Sequence, residues 1–483
     1  MLKTMKNAWK IPELKNKLLF TLLIIILYRV GSAIPVPYFE YNATLASSQA
    51  FTNGILGFLS TLSGGALAQG TLLALGVSPY ITASIVMQLL TIAIPPLERL
   101  SKEGEEGKKK INFITRIITV ILAIITAIGY TMFVINTTYN GETPYFHETG
   151  VHVVFAGAVM VLCYCAGAML VMWLAEKIND HGIGNGISII LFANIVAGFF
   201  SQASALYNAA FTSNPNTNGF NYVGLIIAIV VILFILALVM MIVWMSDAER
   251  RIPIQYAKRV VGRKMYGGQT SNLPLKVNMS GVMPIIFANS IVMVPLTIAQ
   301  FMGNSTNWFT KLVSGDWGFI SEIYKSNRGL AAVVQSLVSI NQNSIPYFVV
   351  FLVLLVAFAY FYVAISFNPV EVANNIKNNG GAIPGIRSGR PTVEFIKKVL
   401  NRVTLLGALL VAVIACVPML ASLICTPFAY AWPSSLFASA FWTIGSFIAF
   451  GGSSLMIVVG VALETTRELE AQMSLRNYKG FLD

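Results

Sequence analysis

The sequence predicts an all-α polytopic membrane protein with ten transmembrane helices, and three observations carry that expectation. The 483 residues are 56% hydrophobic and only 11% charged, against about 25% charged in an ordinary soluble domain. The apolar residues gather into runs of about 20, the length at which a helix crosses about 30 Å of hydrocarbon. The charge is also segregated along the chain rather than spread through it.

Allowing about two residues of tolerance at each end, the runs are 18–37, 74–94, 111–134, 152–175, 183–201, 221–245, 280–302, 345–366, 403–422 and 437–462. Their even number puts both termini on one side. Of the 32 lysines and arginines, only Arg29, Lys311, Lys325 and Arg328 fall outside the segments and flanks that this topology places with the termini. The positive-inside rule therefore puts both termini in the cytoplasm. The net charge of +12 reads as orientation rather than as affinity for nucleic acid. The lysine-rich start followed by Leu18 to Leu27 imitates a signal peptide. The run continues past Tyr28 to Ile34-Pro35-Val36-Pro37 without a small-x-small cleavage site, so a retained first helix is expected.

Between the first two runs lies Gly54 to Leu67, glycine-broken and too short to span. Such a segment sits at membrane depth only if it is buried in protein or lines a cavity. Periodicity leaves a plugging, re-entrant element and an external loop with a surface helix equally open. The long, mixed segment 303–344 reads as external.

The chemistry-bearing residues are sparse. Cys163, Cys165, Cys416 and Cys425 lie in or beside apolar runs without zinc or disulfide spacing, so buried thiols are expected. Three histidines and no HExxH pattern give no metal site, and no nucleotide loop is present, so no cofactor is expected. Gly182-Ile-Gly184-Asn-Gly186-Ile-Ser188 lacks the preceding strand that a dinucleotide loop needs. Its glycines fit a tight helix start and close packing instead. Arg29, near the outer end of the first run, fits snorkelling or a helix-end carbonyl contact better than a substrate role. No run carries an interior Asp or Glu. The polar interior residues are Thr82, Ser84, Gln88, Asn194, Asn289 and Ser290, which commonly serve as interhelical contacts.

Two basic segments, 246–276 and 367–402, exceed what topology requires. Holding anionic lipid is the plainer reading. With aromatic and β-branched residues interleaved, they could equally dock ribosomal RNA or an acidic patch on a motor protein.

Several stretches, in order, resemble the SecY family of protein-conducting channels. They are Arg29-Val-Gly-Ser-Ala-Ile-Pro-Val-Pro37, Ser63-Gly-Gly-Ala-Leu67, Ala74 to Ile85, Gln88-Leu-Leu-Thr91, Glu103-Gly-Glu-Glu-Gly107, Gly182 to Ser188, Leu273-Pro-Leu-Lys-Val-Asn278 and Asn368-Pro369. The resemblance runs from about Lys15 through Leu463, nearly the whole chain.

The resemblance implies two pseudo-symmetric, inverted five-helix halves, 1–201 and 221–463, joined by an external hinge connection, 202–220, and followed by a cytoplasmic tail, 464–483. It implies a pore ring at Val77, Ile81, Ile187, Leu191, Ile286 and Ile457, where Val77 and Leu191 stand in place of the family's more familiar isoleucines. Apolar side chains at a constriction exclude ions by dewetting yet yield to a passing chain. It makes 57–69 a short re-entrant plug helix, including Phe58, Leu59, Leu62, Gly64, Gly65 and Ala66, with the two glycines lowering its stability. Spans two, three, seven and eight would form a lateral gate, held shut by weak polar contacts of Thr82, Ser84, Gln88 and Asn289. Lys258, Arg259, Arg263, Lys264 and Arg387 fall where the family docks the ribosome or the SecA motor.

The implied function is passage of unfolded preproteins across the bacterial cytoplasmic membrane, with hydrophobic segments released into lipid. SecE and SecG are the implied membrane subunits, and energy comes from a partner rather than from an enzymatic site in this chain. A secondary transporter is disfavoured by the missing intramembrane carboxylates and by the large basic segments. An intramembrane enzyme is disfavoured because no catalytic pair is visible. Segments 303–344 and 416–440 look individual against the family pattern.

Overall fold

A computed structural model describes residues 6–39, 60, 63–136, 151–211, 222–256, 259–261, 264–266, 270–301, 311, 344–431 and 454–474. The helices are α1 (Pro12–Gly31), α2 (Ser78–Ala93), α3 (Pro95–Lys102), α4 (Glu105–Asn136), α5 (Val151–His181), α6 (Gly186–Phe211), α7 (Tyr222–Asp247), α8 (Met283–Phe301), α9 (Ile345–Ser366), α10 (Pro369–Asn378) and α11 (Arg390–Ala431). Residues 454–474 form a last helix, α12. The strands are β1 (Glu249–Tyr256), β2 (Arg259–Val261), β3 (Lys264–Tyr266), β4 (Thr270–Lys276) and β5 (Gly381–Ala382).

Each of the ten apolar runs meets a described helix, the tenth only over 454–462. Glu105–Ile135, His152–His181, Ala228–Asp247, Ile345–Asn378 and Arg390–Val417 are each long and apolar enough to cross a membrane. The protein is a multi-pass membrane protein.

Helix boundaries follow local chemistry. Pro12 opens α1 at a position where its missing N–H is no loss. Ile94 precedes Pro95 and is driven to an extended conformation, φ −111° and ψ 111°. That ends α2, and α3 leaves at an angle of 102°. Ser344 caps α9 by accepting from the Tyr347 N–H at 3.4 Å. The chain leaving α1 pairs with the approach to α2: the Leu72 N–H donates to the Ile34 carbonyl at 2.8 Å and the Val36 N–H to that of Gly70 at 3.1 Å.

Helices α1, α2, α4, α5 and α6 pack among themselves, and α7, α8, α9 and α11 do likewise. The two groups meet along two seams, α6 on α7 and α2 with α4 on α8. One apolar core runs through both, from Tyr28 and Ile85 to Ile285, Phe351 and Ile414. On α7 the exposed face is Ile229, Leu233, Leu236, Met240 and Trp244, a surface suited to lipid.

Backbone contact sets the helix separations. A Cβ on Gly167 of α5 would overlap the Leu72 carbonyl, and one on Gly460 of α12 would overlap the Val282 side chain. With lipid outside, such packing is the main force holding helices together.

Four expectations need amendment. Segment 246–276 is largely a sheet: β1 pairs antiparallel with β4, from Glu249 opposite Lys276 to Gln255 opposite Thr270, and β5 joins the other edge of β1. Segment 367–402 is mostly helix, because Lys397, Lys398 and Arg402 continue directly into the apolar run as part of α11. Helix α6 extends to Phe211, well into the stretch assigned to a connection. Cys163 and Cys165 are half-buried while Cys416 is buried. Two positions apart on a helix point in different directions, so both cannot face the core. The side chain of Cys425 lies outside the described residues.

Gly167→Ala should destabilise the protein by about 1–3 kcal/mol, the usual cost of overpacking. A lower thermal midpoint in detergent checks this, and an unchanged midpoint would show that α5 can move away from Leu72.

Candidate functional site

The six ring positions come from four helices. Val77 immediately precedes α2 and Ile81 lies in its first turns, while Ile187 and Leu191 sit one turn apart at the start of α6. Ile286 lies on α8 and Ile457 on α12. Five of them are at most 5% exposed, Ile187 is half-buried, and all six belong to one apolar cluster. Ile81, Leu191, Ile286 and Ile457 line a single cavity of about 320 Å³. Val77 and Ile187 pack in the same core without lining it. Leu67, Leu75, Leu122, Ile125, Val294 and Ile298 help make the wall mainly apolar, with Thr82, Thr126, Tyr130, Asn289 and Ser290 among its polar residues.

Leu67 belongs to the glycine-broken segment. Residues 63–70 form successive turns rather than a helix. Gly64 and Gly65 have φ of 67° and 89°, a region that other residues seldom adopt. The glycines are thus turn-formers here, beyond their expected weakening of a helix. Ser63 Oγ donates to the Ser60 carbonyl at 3.0 Å and accepts from the Leu67 N–H at 3.1 Å. The hydroxyl of Tyr130 on α4 donates to the Leu67 carbonyl. A Cβ on Gly64 would stand 2.9 Å from Arg29 Nη1, so the guanidinium would have to shift to admit a side chain. Ala66 is buried nearby, whereas Phe58, Leu59 and Leu62 lie outside the described residues. Arg29 donates at 3.3 Å to the Ala193 carbonyl, inside α6 rather than at a helix end as expected.

The seam between α2 and α8 departs from expectation. Thr82 Oγ1 donates to the Ser78 carbonyl at 3.1 Å, and Gln88 Nε2 donates to Ser84 Oγ at 3.5 Å. Both bonds lie within α2 rather than across the seam. Thr82 and Asn289 border the same cavity, which separates the facing surfaces and leaves the polar groups to bond along their own helix. Asn289 is 5% exposed, and its Nδ2 has no hydrogen-bond partner among the described residues.

At the face carrying the basic segments, β1, β4, β5, α10 and the start of α11 enclose a small core of Ile252, Ile254, Leu275, Ala373, Ile376, Ile383 and Ile396. The two candidate docking segments are therefore one folded unit. Alternation along β1 turns Ile252 and Ile254 inward and leaves Arg251 and Gln255 exposed. Arg259 and Lys264 lie on the β2–β3 hairpin, with Lys258 and Arg263 outside the described residues. Arg387 is exposed in the turn after β5, and its carbonyl accepts from the buried hydroxyl of Thr392 at 2.8 Å. At the base of the unit, Arg467 of α12 donates to the Ser246 carbonyl and to Asp247 Oδ1, each at 2.7 Å. Partial burial and Arg467 lower the pKa of Lys276, against the opposing pull of Asp247 and Glu249.

Tyr130 and Thr392 were not among the sequence candidates. The Tyr130 hydroxyl reaches a carbonyl 63 residues away, for which no local pattern exists, whereas Thr392 reaches one only five residues back. The shared core was partly visible, since alternating Ile252 and Ile254 is a strand signal.

The family model for SecY matches residues 71–466. The chain is 42% identical over 485 residues to the protein translocase subunit SecY of Streptomyces coelicolor and 36% identical over 483 residues to that of Bacillus subtilis, covering all of each. A solved protein-conducting channel matches 95% of this chain and 92% of its own, with a TM-score of 0.57 and 18% identity. Sec61 in a canine ribosome–channel complex from the endoplasmic reticulum matches with the same coverage, a TM-score of 0.54 and 18% identity.

Leu275→Ala should loosen both docking segments together, at a cost of about 2–5 kcal/mol to the small core. Hydrogen exchange should rise in 249–256 and 270–276 and also in 381–396. A rise confined to β4 and its neighbour would mean that the segments fold separately.

Proposed function

The chain belongs to the SecY family and is a pore-forming subunit of a protein translocase, and from that premise we propose how its parts divide the task. Unfolded preproteins cross between Val77, Ile81, Ile187, Leu191, Ile286 and Ile457. The observation that carries this is the convergence of Ile81, Leu191, Ile286 and Ile457, from four helices, on one apolar cavity. Aliphatic side chains seal by dewetting and by mutual contact, and they offer a passing chain no fixed charge to hold it.

Segment 57–69 is the plug. Its described end is held over the cavity by the Tyr130 bond to Leu67 and braced by Arg29 against Gly64. The gate opens where α2 and α4 face α8 and α9. A signal segment of about ten apolar residues gains roughly 3–6 kcal/mol on moving into lipid, and the apolar cavity gives that seam little to lose. The Asn289 Nδ2, which has no hydrogen-bond partner among the described residues, weakens the closed state further, since a buried unsatisfied donor costs about 1–3 kcal/mol.

Lys258, Arg259, Arg263, Lys264 and Arg387 present a cationic surface to ribosomal RNA or to an acidic face of a SecA-type motor. Ribosome-bound Sec61 and Ssh1 channels of the same fold support this reading. The energy comes from such a partner, SecE and SecG are the small membrane subunits, and the membrane is the bacterial cytoplasmic one with both termini inside. The halves 1–201 and 221–463 are related by an inverted pseudo-twofold and hinge near α6 and α7.

Reconstitution with SecE and a SecA-type ATPase should give ATP-dependent movement of a preprotein into vesicles. Transport of a small solute without polypeptide would sink the proposal. Asn289→Leu should favour the closed gate and cut transport of weak-signal preproteins by about tenfold, as 1–2 kcal/mol implies, while strong-signal preproteins change less than twofold. Equal rates for both substrates would count against a gate role. Arg387→Glu should lower motor-driven transport by at least about tenfold, a charge-pair effect, with normal recovery of the assembled complex. A matching loss of complex would identify a folding defect instead.

A further inference from the structure

The glycine-spaced loop between α5 and α6 has no part in the reading above, yet it is among the most closely fitted places in the molecule. Helix α5 ends at His181 and α6 begins at Gly186, and the first N–H groups of a helix have no partner within it. Asn179, in the last turn of α5, accepts from the Gly186 N–H at 2.7 Å. Asn185 accepts from the Ile187 N–H at 3.1 Å. On α1, Thr21 Oγ1 accepts from the Ile183 N–H at 3.2 Å while donating to the Lys17 carbonyl at 2.9 Å.

The glycines make these bonds possible. A Cβ on Gly182 would stand 2.8 Å from Thr21 Oγ1, and one on Gly186 would overlap the Ala175 carbonyl. Gly184, at φ 79°, faces Thr465 of α12. Between them Ile183, 1% exposed, packs with Ala8, Leu14 and Leu469. The loop thus joins α1, α5, α6 and α12 at one node. Ile187 is the residue after the pinned Gly186, Leu191 is one turn further, and Ile457 lies about two turns along α12 from Thr465.

We propose that Asn179 and Thr21 are positioning residues for the constriction, fixing the height of α6 and hence of Ile187 and Leu191 in the ring. The inference rests on the ring reading of the preceding subsection. A gap of about 0.5–1 Å between facing aliphatics forfeits a quarter to a half of their attraction, whereas one residue of helix is about 1.5 Å of rise. A small axial slip of α6 therefore suffices to open the seal.

The test is resting potassium leak from loaded vesicles containing the complete reconstituted complex. Asn179→Leu and Thr21→Val should each raise leak about five- to tenfold, the population shift that losing one helix-end bond produces. Asn179→Asp and Thr21→Ser keep the acceptor oxygen and should stay within about twofold of the parent. An Ile187→Ala/Leu191→Ala channel should leak by itself, and adding Asn179→Leu to it should change little. Parental leak in Asn179→Leu and Thr21→Val, with the alanine channel leaky, overturns the positioning role and leaves the ring standing. A tight alanine channel overturns the ring reading and this inference with it. Aspartate as leaky as leucine at 179 also overturns the inference, since the acceptor bond is then irrelevant. Should Asn179→Leu fail to assemble, the Thr21 pair decides.

Discussion

Helices surrounded by hydrocarbon gain nothing from hiding apolar surface from one another, so their separation is decided by how closely their backbones can approach. Gly167 against Leu72, Gly186 against Ala175 and Gly460 against Val282 are such approaches. Each brings a helix carrying or flanking a ring residue against a neighbouring backbone or side chain. Apolar attraction is short-ranged, and a seal made of aliphatic side chains cannot correct for helices standing too far apart. The ring depends on contacts that contain no ring residue.

The same constraint shapes the polar residues. Thr82, Thr91, Ser290 and Thr465 each donate to a carbonyl one turn back in their own helix, which satisfies the hydroxyl without binding two helices together. Polar bonds between distant segments include Asn194 donating to Tyr28, Tyr130 to the Leu67 carbonyl, and Thr21 receiving Ile183. The seam between α2 and α8 has a cavity where a bonded lattice would have stood.

Much of this was legible in the sequence. Runs of about 20 apolar residues and the clustering of basic residues suffice for a multi-pass helical protein, because hydrocarbon thickness and insertion energetics impose them directly. The Pro95 break and the Ser344 cap are likewise local. The small sheet was less visible, since β5 has two residues and exists only through its pairing with β1. The turn conformation at 63–70 was hidden as well. Two adjacent glycines are compatible with a weak helix or a left-handed turn, and the Tyr130 bond to the Leu67 carbonyl that accompanies the turn comes from elsewhere in the chain. The continuous α11 was missed for a different reason: the charges of 397–402 mark the edge of the membrane but not the end of a helix.

That continuity has a mechanical consequence. From Arg390 to Val417, ahead of Pro418 and Pro427, α11 runs for 28 residues, about 42 Å at 1.5 Å per residue, and its first turns belong to the small core beside Arg387. A rod of that length is a lever. Tilting it by about 5° at the docked end would carry the end at Val417 through about 4 Å. Movement of the basic surface would thus be carried into the membrane-spanning part of α11 without touching the pore, and a hinge placed before Val417 would silence it while leaving both ends folded.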